Sequence, residues 1–278
     1  MFDAIIVGAR CAGSPLGMLL ARRGHRVLVI DKATFPSDVI STHFLHPRGA
    51  SYLQRWGLFE RLMAAGTPAW SEHCTTMEGI SLRAPLDTAA LRARFAEVHG
   101  WSGEELDAVT MRWCAPRRHV LDSMLAEAAA EAGAEVRLQV TMTELIREGD
   151  RVVGIRARAA DGTELVERAA VVVGADGRRS PVAEAVGAGK YHERPRCTYS
   201  YYSYWEGLSL EGLRWPLHIL GRQSLAAFPT NGGRIHVLVF GPRDWFDDFR
   251  ADHENNYRRA IDLIYPELGQ RLGSARRV

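Results

Sequence analysis

The sequence predicts an α/β fold with a parallel-sheet unit at its start, an antiparallel meander near its middle and a strand-rich second module toward its end. Three observations carry that prediction: a strand–turn–helix–strand run within Phe2–Asp31, hairpin turns at Gly149-Asp150 and Asp161-Gly162, and alternating aromatic residues over Tyr199–Trp205.

The opening run is the most constrained. Ile5, Ile6 and Val7 form the short apolar stretch of a central parallel strand buried on both faces. Gly8 permits a sharp turn, and Gly13 lets the following helix lie close to the strand. The helix is expected over Ser14–Arg23, with Pro15 in the first turn where a missing N–H costs nothing. Leu16, Leu19 and Leu20 form its inward stripe, and Gly24 ends it. A second strand runs from Arg26 to Asp31. A tight turn feeding a helix N-terminus aims backbone N–H groups and the positive end of the helix dipole at an anion. The unit therefore reads as an ADP-binding βαβ. Asp31, 23 residues after Gly8, stands where a carboxylate takes ribose hydroxyls and disfavours a 2′-phosphate, which selects FAD or NAD over NADP. Arg10 occupies the place of the usual second glycine; its side chain can swing aside to pair with phosphate or with a neighbouring carboxylate.

With 278 residues, the chain suits one large or two modest domains, and its net charge of +2 leaves no footprint for nucleic acid or an anionic membrane. Cys11, Cys74, Cys114 and Cys197 are scattered, as expected of reduced cysteines in a cytoplasmic protein, with neither a metal site nor a disulfide frame. The N-terminal apolar stretch is interrupted by Arg10, Gly13 and Pro15 and predicts neither signal peptide nor membrane span.

After Asp31 comes a polar loop with Pro36, then Ser41-Thr42-His43 and a helix from about Pro47 with Leu53, Trp56 and Leu58 on its apolar side. Residues 71–113 lose helical periodicity and read as strands and loops. Helix returns over Arg117–Ala132, with Leu121, Met124, Leu125 and Ala128 as its stripe and Gly133 as its stop. Strands follow at Glu135–Val140, Thr143–Arg147, Arg151–Arg158 and Thr163–Arg168. A further apolar strand, Ala170–Val173, delivers Gly174-Ala175-Asp176-Gly177 to the end of a sheet where α/β folds bind ligands. Beyond Lys190, Tyr199, Tyr201, Ser203 and Trp205 share one strand face, with Ser200, Tyr202 and Tyr204 on the other. Either face is compatible with sheet packing or with the wall of a substrate cavity. A strand is expected at Arg234–Phe240 and a basic helical tail from Asp252.

Four separated segments together resemble the FAD-dependent monooxygenases of the para-hydroxybenzoate hydroxylase type and their relatives, the geranylgeranyl reductases and flavin halogenases. They are the turn Gly8–Ser14 with Asp31, the stretch His46–Pro68, the element Arg118-His119-Val120-Leu121-Asp122, and Val171–Ala188 around Asp176-Gly177. The resemblance implies a glutathione-reductase-type, Rossmann-like FAD domain with an inserted β-meander, over 1–70 and 114–186, and an α+β substrate domain over 71–113 and 187–278. It also implies roles for particular residues. Gly8, Ala9, Arg10, Ala12, Gly13 and Ser14 would line the pyrophosphate, Asp31 would hold the ribose, and Lys32 would lie beside the adenine. Arg118 would reach the flavin's ribityl or phosphate side, and Asp176 with Gly177 would organise the region between pyrophosphate and ribityl chain. Ser41, Thr42 and His43 align with a loop past the flavin ring, where His43 is the titratable candidate; no catalytic side chain is assigned.

The expected function is a cytoplasmic FAD-dependent monooxygenase that hydroxylates or epoxidises a small apolar or aromatic molecule with dioxygen and NADH or NADPH, with no nucleic-acid partner, no stable membrane insertion and oligomeric state left open. A reductase of the geranylgeranyl-reductase kind and a shortened non-catalytic relative are the alternatives. Ala183 stands where the family places an arginine, which bears on nicotinamide docking; the halogenase signature W-x-W-x-I-P is not found, which disfavours halogenation; and the family's GD motif is not found before Val278, as in a shortened or N-terminal portion of the family fold.

Overall fold

A computed structural model describes residues 1–83 and 87–278 and has the predicted α/β character. The chain divides into two compact units, Met1–Ser41 with Arg118–Glu193, and Thr42–Arg117 with Arg194–Val278. Residues 42–70, assigned above to the nucleotide-binding domain, pack within the second unit.

The first unit is built on a six-stranded sheet in the order Glu135–Leu138, Val27–Asp31 (β2), Phe2–Val7 (β1), Glu164–Gly174, Arg151–Ala159, Val140–Glu148. β1 is parallel to both of its neighbours, with Ile6 opposite Val29 on one side and Val173 on the other. Ile5 and Ile6 are fully buried, as a central strand requires. The helix Gly13–Ala21 (α1) follows the turn, and the helix Arg118–Glu131 buries Leu121, Met124, Leu125 and Ala128. The strands expected at Thr163–Arg168 and Ala170–Val173 form one strand, Glu164–Gly174. Its first half pairs antiparallel with Arg151–Ala159 and its second half parallel with β1. The sequence pattern changes from alternating to continuously apolar because the partner changes, not because the strand stops.

The second unit has a seven-stranded sheet in the order Arg276–Arg277, Thr198–Glu206, Arg234–Pro242, Gln223–Thr230, Pro216–Leu220, Cys74–Met77, Ile80–Arg83. Its two faces follow the two-residue period of strands. Tyr199, Trp205, Leu225, Val237 and Val239 pack on Phe249, Tyr257, Ile261 and Leu268 of the helices Phe246–Ala251, His253–Ile264 and Pro266–Leu272. Phe228, Leu238, Tyr202 and Phe240 lie in a cluster on the other face with Phe44, Trp70 and Ala115.

Residues 71–113 contain a helix that periodicity did not predict, Thr88–His99. Only Phe95 of it is buried, so it has no apolar stripe to read; Asp87 caps it by accepting from the Ala89 and Ala90 N–H groups. Residues 84–86 of that stretch lie outside the described residues.

Candidate functional site

In the first unit, the turn after β1 is closed by contacts that admit no side chain at positions 8 and 13. Gly8 has φ of +109°, and a Cβ on it would lie 2.3 Å from the Ala175 carbonyl oxygen. A Cβ on Gly13 would lie 1.7 Å from the Gly8 carbonyl oxygen. The Gly8 N–H donates to the Ile30 carbonyl and the Ala175 N–H to the Val7 carbonyl, both at 2.7 Å, so the turn and the segment 174–177 form one rim. Ser14 is fully buried, and its hydroxyl donates to the Ala9 carbonyl at 2.6 Å. Ala12 is the N-cap of α1 and supplies no capping side chain, and the first turn carries no acid. A helix start with no side-chain cap and no acid is suited to an anion. The cradle therefore fits a dinucleotide pyrophosphate.

Asp31 is 9 % exposed and accepts from the Ala9 N–H through Oδ2 and the Ala33 N–H through Oδ1, each at 2.8 Å. It thus fixes the turn as well as ending β2, and a carboxylate with two such bonds retains lone pairs for ribose hydroxyls. Lys32 next to it is exposed.

Arg10 leaves the turn sideways. Its guanidinium donates to Asp122 Oδ2 at 2.5 Å and to Ser37 Oγ at 2.9 Å, and lies 5.0 Å from the Phe35 ring centroid. Asp122 is fully buried and also receives a forked pair from Arg118, one turn earlier on the same helix, at 3.0 and 2.9 Å. One carboxylate therefore holds two guanidiniums. Asp122 carried no expected role within the Arg118–Asp122 element, and its spacing of four from Arg118 is the sequence signal for this pairing. Cys11 keeps part of its surface in solvent, but its sulfur faces Asp122 Oδ1 at 3.4 Å; burial, then the Asp122 charge, pushes the thiol up to about 11, which makes it a poor nucleophile.

At the rim, Asp176 accepts from the Ser180 hydroxyl at 2.5 Å and the Val182 N–H at 3.0 Å, so it organises the start of the helix Pro181–Ala185. Gly177 beside it has φ of +88°. Ser41 closes the first segment of this unit, whereas Thr42 and His43 belong to the second.

In the second unit, His43 is 4 % exposed and adopts φ of +58°, rare for a residue with a side chain. Its Nε2 hydrogen-bonds the Tyr204 hydroxyl at 2.5 Å, and the Arg117 guanidinium lies 4.3 Å from the Tyr204 ring centroid. His236, fully buried, stacks 5.0 Å from the same ring. Burial first, then His43 and Arg117, pushes His236 from 6.5 down to about 2, so it is neutral near pH 7. Of this cluster the sequence reading singled out His43 as titratable.

Beside it opens a cavity of about 320 Å³ walled by Phe44, Leu217, Phe228, Leu238 and Phe240, with Thr42, His46 and His73 as polar groups. None of its described lining residues is an acid, a lysine or an arginine. Burial lowers the pKa of both His46 and His73, which favours neutral imidazoles. Tyr202 and Tyr204 lie on the sheet face toward this cluster, while Tyr199 and Trp205 pack against the helices. Among the described residues no group of acids, histidines and cysteines could hold a metal ion, and no helix is long and apolar enough to cross a membrane.

The family described as FAD binding domain matches residues 1–203. Rifampicin monooxygenase of Streptomyces venezuelae is 32 % identical over 67 % of this chain and 34 % of its own length. Digeranylgeranylglycerophospholipid reductase 2 of Methanococcoides burtonii is 33 % identical over 67 % of this chain and 40 % of its own. These matches span little more than a third of the curated relatives. Among solved structures, the myxobacterial chondrochloren halogenase CndH superposes with a TM-score of 0.78 at 25 % identity, over all of this chain and 61 % of that one. Pseudomonas aeruginosa PqsL shares the fold, with a TM-score of 0.74 at 20 % identity over 73 % of its length. The glycine turn, the Asp31 carboxylate that fixes it and these likenesses agree: the chain belongs to the FAD binding domain family of flavoprotein monooxygenases and oxidoreductases.

Proposed function

We propose that the chain serves an FAD-dependent monooxygenase that hydroxylates or epoxidises a small, uncharged aromatic or apolar molecule in the cytoplasm. The observation that carries this reading is the closed turn Gly8–Ser14 with its uncapped helix start, within a domain of the FAD family. When bound, FAD supplies redox chemistry between NADH or NADPH and dioxygen.

The protein's own part is to hold, orient and exclude water. The N-terminal end of α1 and the turn N–H groups other than those of Gly8 and Ala9 take the pyrophosphate, Asp31 the ribose hydroxyls, and Lys32 the adenine side. Arg118, Asp176 and Gly177 serve the pyrophosphate-to-ribityl stretch. In the second unit, Phe44, Phe228, Leu238 and Phe240 desolvate a ring, and the absence of formal charge among the described lining residues favours a neutral substrate. His46 and His73, kept neutral, accept or donate a hydrogen bond at an imidazole nitrogen, while the His43–Tyr204 pair holds a proton between Nε2 and the phenol oxygen.

The test is reconstitution with FAD followed by NADH and NADPH oxidation and oxygen uptake over a panel of neutral phenols and alkenes. Substrate-dependent oxygen uptake with a product one oxygen atom heavier supports the proposal. The archaeal reductase relative favours a second reading; nicotinamide oxidation with a reduced product and no oxygen uptake would select it instead.

A further inference from the structure

We propose that Arg10 is an FAD-positioning residue that holds the cradle in its binding shape, rather than an obstruction where a glycine should be. The inference rests on the reading that the first unit holds FAD.

The side chain at this place could only crowd a dinucleotide if it stayed over the turn. It does not. Arg10 reaches Asp122 Oδ2 at 2.5 Å, Ser37 Oγ at 2.9 Å and the Phe35 face at 5.0 Å. Three chain segments are thereby tied at one guanidinium: the pyrophosphate turn, the loop after β2, and the helix Arg118–Glu131. The same loop also approaches that helix where Asp38 Oδ2 lies 3.8 Å from His119 Nδ1. The segments so joined carry the residues assigned to the cofactor, namely the turn itself, Asp31 with Lys32, and Arg118.

Charge supports the same role. Asp122 offers one negative charge to two guanidiniums, so the group is net cationic beside a turn meant for a diphosphate. The Arg10 side chain is 24 % exposed and that of Asp122 is fully buried, so the anchor end is dry. A guanidinium suits this place because its planar fork reaches a carboxylate and a hydroxyl together, which an ammonium on a flexible stem does less well. Fixing a loop before ligand arrives removes an ordering cost from binding.

The experiment measures dissociation constants for FAD, by flavin fluorescence quenching, and for ADP, by calorimetry, on apo wild type, Arg10→Gly, Arg10→Lys and Ser37→Ala, with urea unfolding of each apo protein. Arg10→Gly is expected to weaken FAD and ADP alike by about tenfold or more, Arg10→Lys to recover part of that, and Ser37→Ala to weaken both about threefold. Ser37→Ala removes one hydroxyl and keeps the test open should Arg10→Gly not fold. Unchanged or tighter FAD binding by Arg10→Gly, or by Ser37→Ala where the former does not fold, overturns the inference. So does lower apo stability with unchanged affinity, which marks a merely structural role. A wild type that binds neither ligand overturns the reading beneath it as well, which separates the two failures.

Discussion

The turn at Gly8–Ser14 and the cavity beside Phe228 are built by opposite means. In the turn, Gly8 and Gly13 are fixed by what backbone geometry excludes: Gly13 has a carbonyl oxygen 1.7 Å from where a Cβ would stand. In the cavity, the wall is assembled from Phe44, Leu217, Phe228, Leu238 and Phe240, which come from four separate segments and could each be replaced by another apolar residue of similar size. The first region demands particular residues at particular spacings, whereas the second demands only volume and the absence of charge. That difference sets how each should respond to mutation.

The largest effect is expected in the turn. Gly13→Ala forces a methyl group onto a backbone oxygen and should cost about 3 kcal/mol or more in urea unfolding, with loss of FAD binding. A fully stable, FAD-binding variant would break the claim that the turn tolerates no side chain there. Asp122→Ala follows, leaving the guanidiniums of Arg10 and Arg118 without their buried carboxylate. A loss of about 3 kcal/mol is expected, and Arg118→Ala in the same background should then cost less than it does alone, by a double-mutant cycle.

The second unit should show its character through pH. His236 titrates near 6.5 when unfolded and near 2 when folded. The unfolded chain therefore binds the extra proton first, so stability is full above pH 6.5 and falls as pH drops toward 2. The slope is up to about 1.4 kcal/mol per pH unit for this one group. His236→Phe should flatten it in unfolding measured between pH 7 and 5 (a window set by the unfolded imidazole), and an unchanged slope would assign it elsewhere. The smallest effect is expected at the cavity wall, where Phe240 is only partly buried. Phe240→Ala should raise the KM for an aromatic substrate about tenfold while leaving FAD affinity unaltered. Equal losses in both would erase the distinction between the two regions.

The same contrast explains what could be read from the chain before its folding was known. β1, the glycines around α1, Asp31 and the stripe of the helix Arg118–Glu131 were legible because periodicity and glycine placement leave a mark within a few neighbouring residues. The inward face of α1 was not: Gly17 and Met18 are buried, while Leu16, Leu19 and Leu20 are only half-buried. The two faces of Thr198–Glu206 were legible for the same reason. The helix Thr88–His99 was not, since a helix that buries one phenylalanine has no apolar period to show. Nor was the cavity, because Phe44, His73 and Phe228 are far apart in the chain and meet only through tertiary packing. The destination of the Arg10 side chain lay between. Its displacement from the usual glycine pattern was visible, but its partners at residues 37 and 122 are joined only by tertiary packing.

The central claim is that the first unit's turn is an FAD cradle whose shape the sequence enforces. It is tested most directly by titrating the purified apo chain with FAD and following quenching of flavin fluorescence, in wild type and Gly13→Ala, with circular dichroism confirming that both are folded. The account predicts saturable quenching at one FAD per chain in wild type and none in the variant. A folded wild type that leaves flavin fluorescence unchanged, or a variant that binds as tightly as wild type, would contradict it.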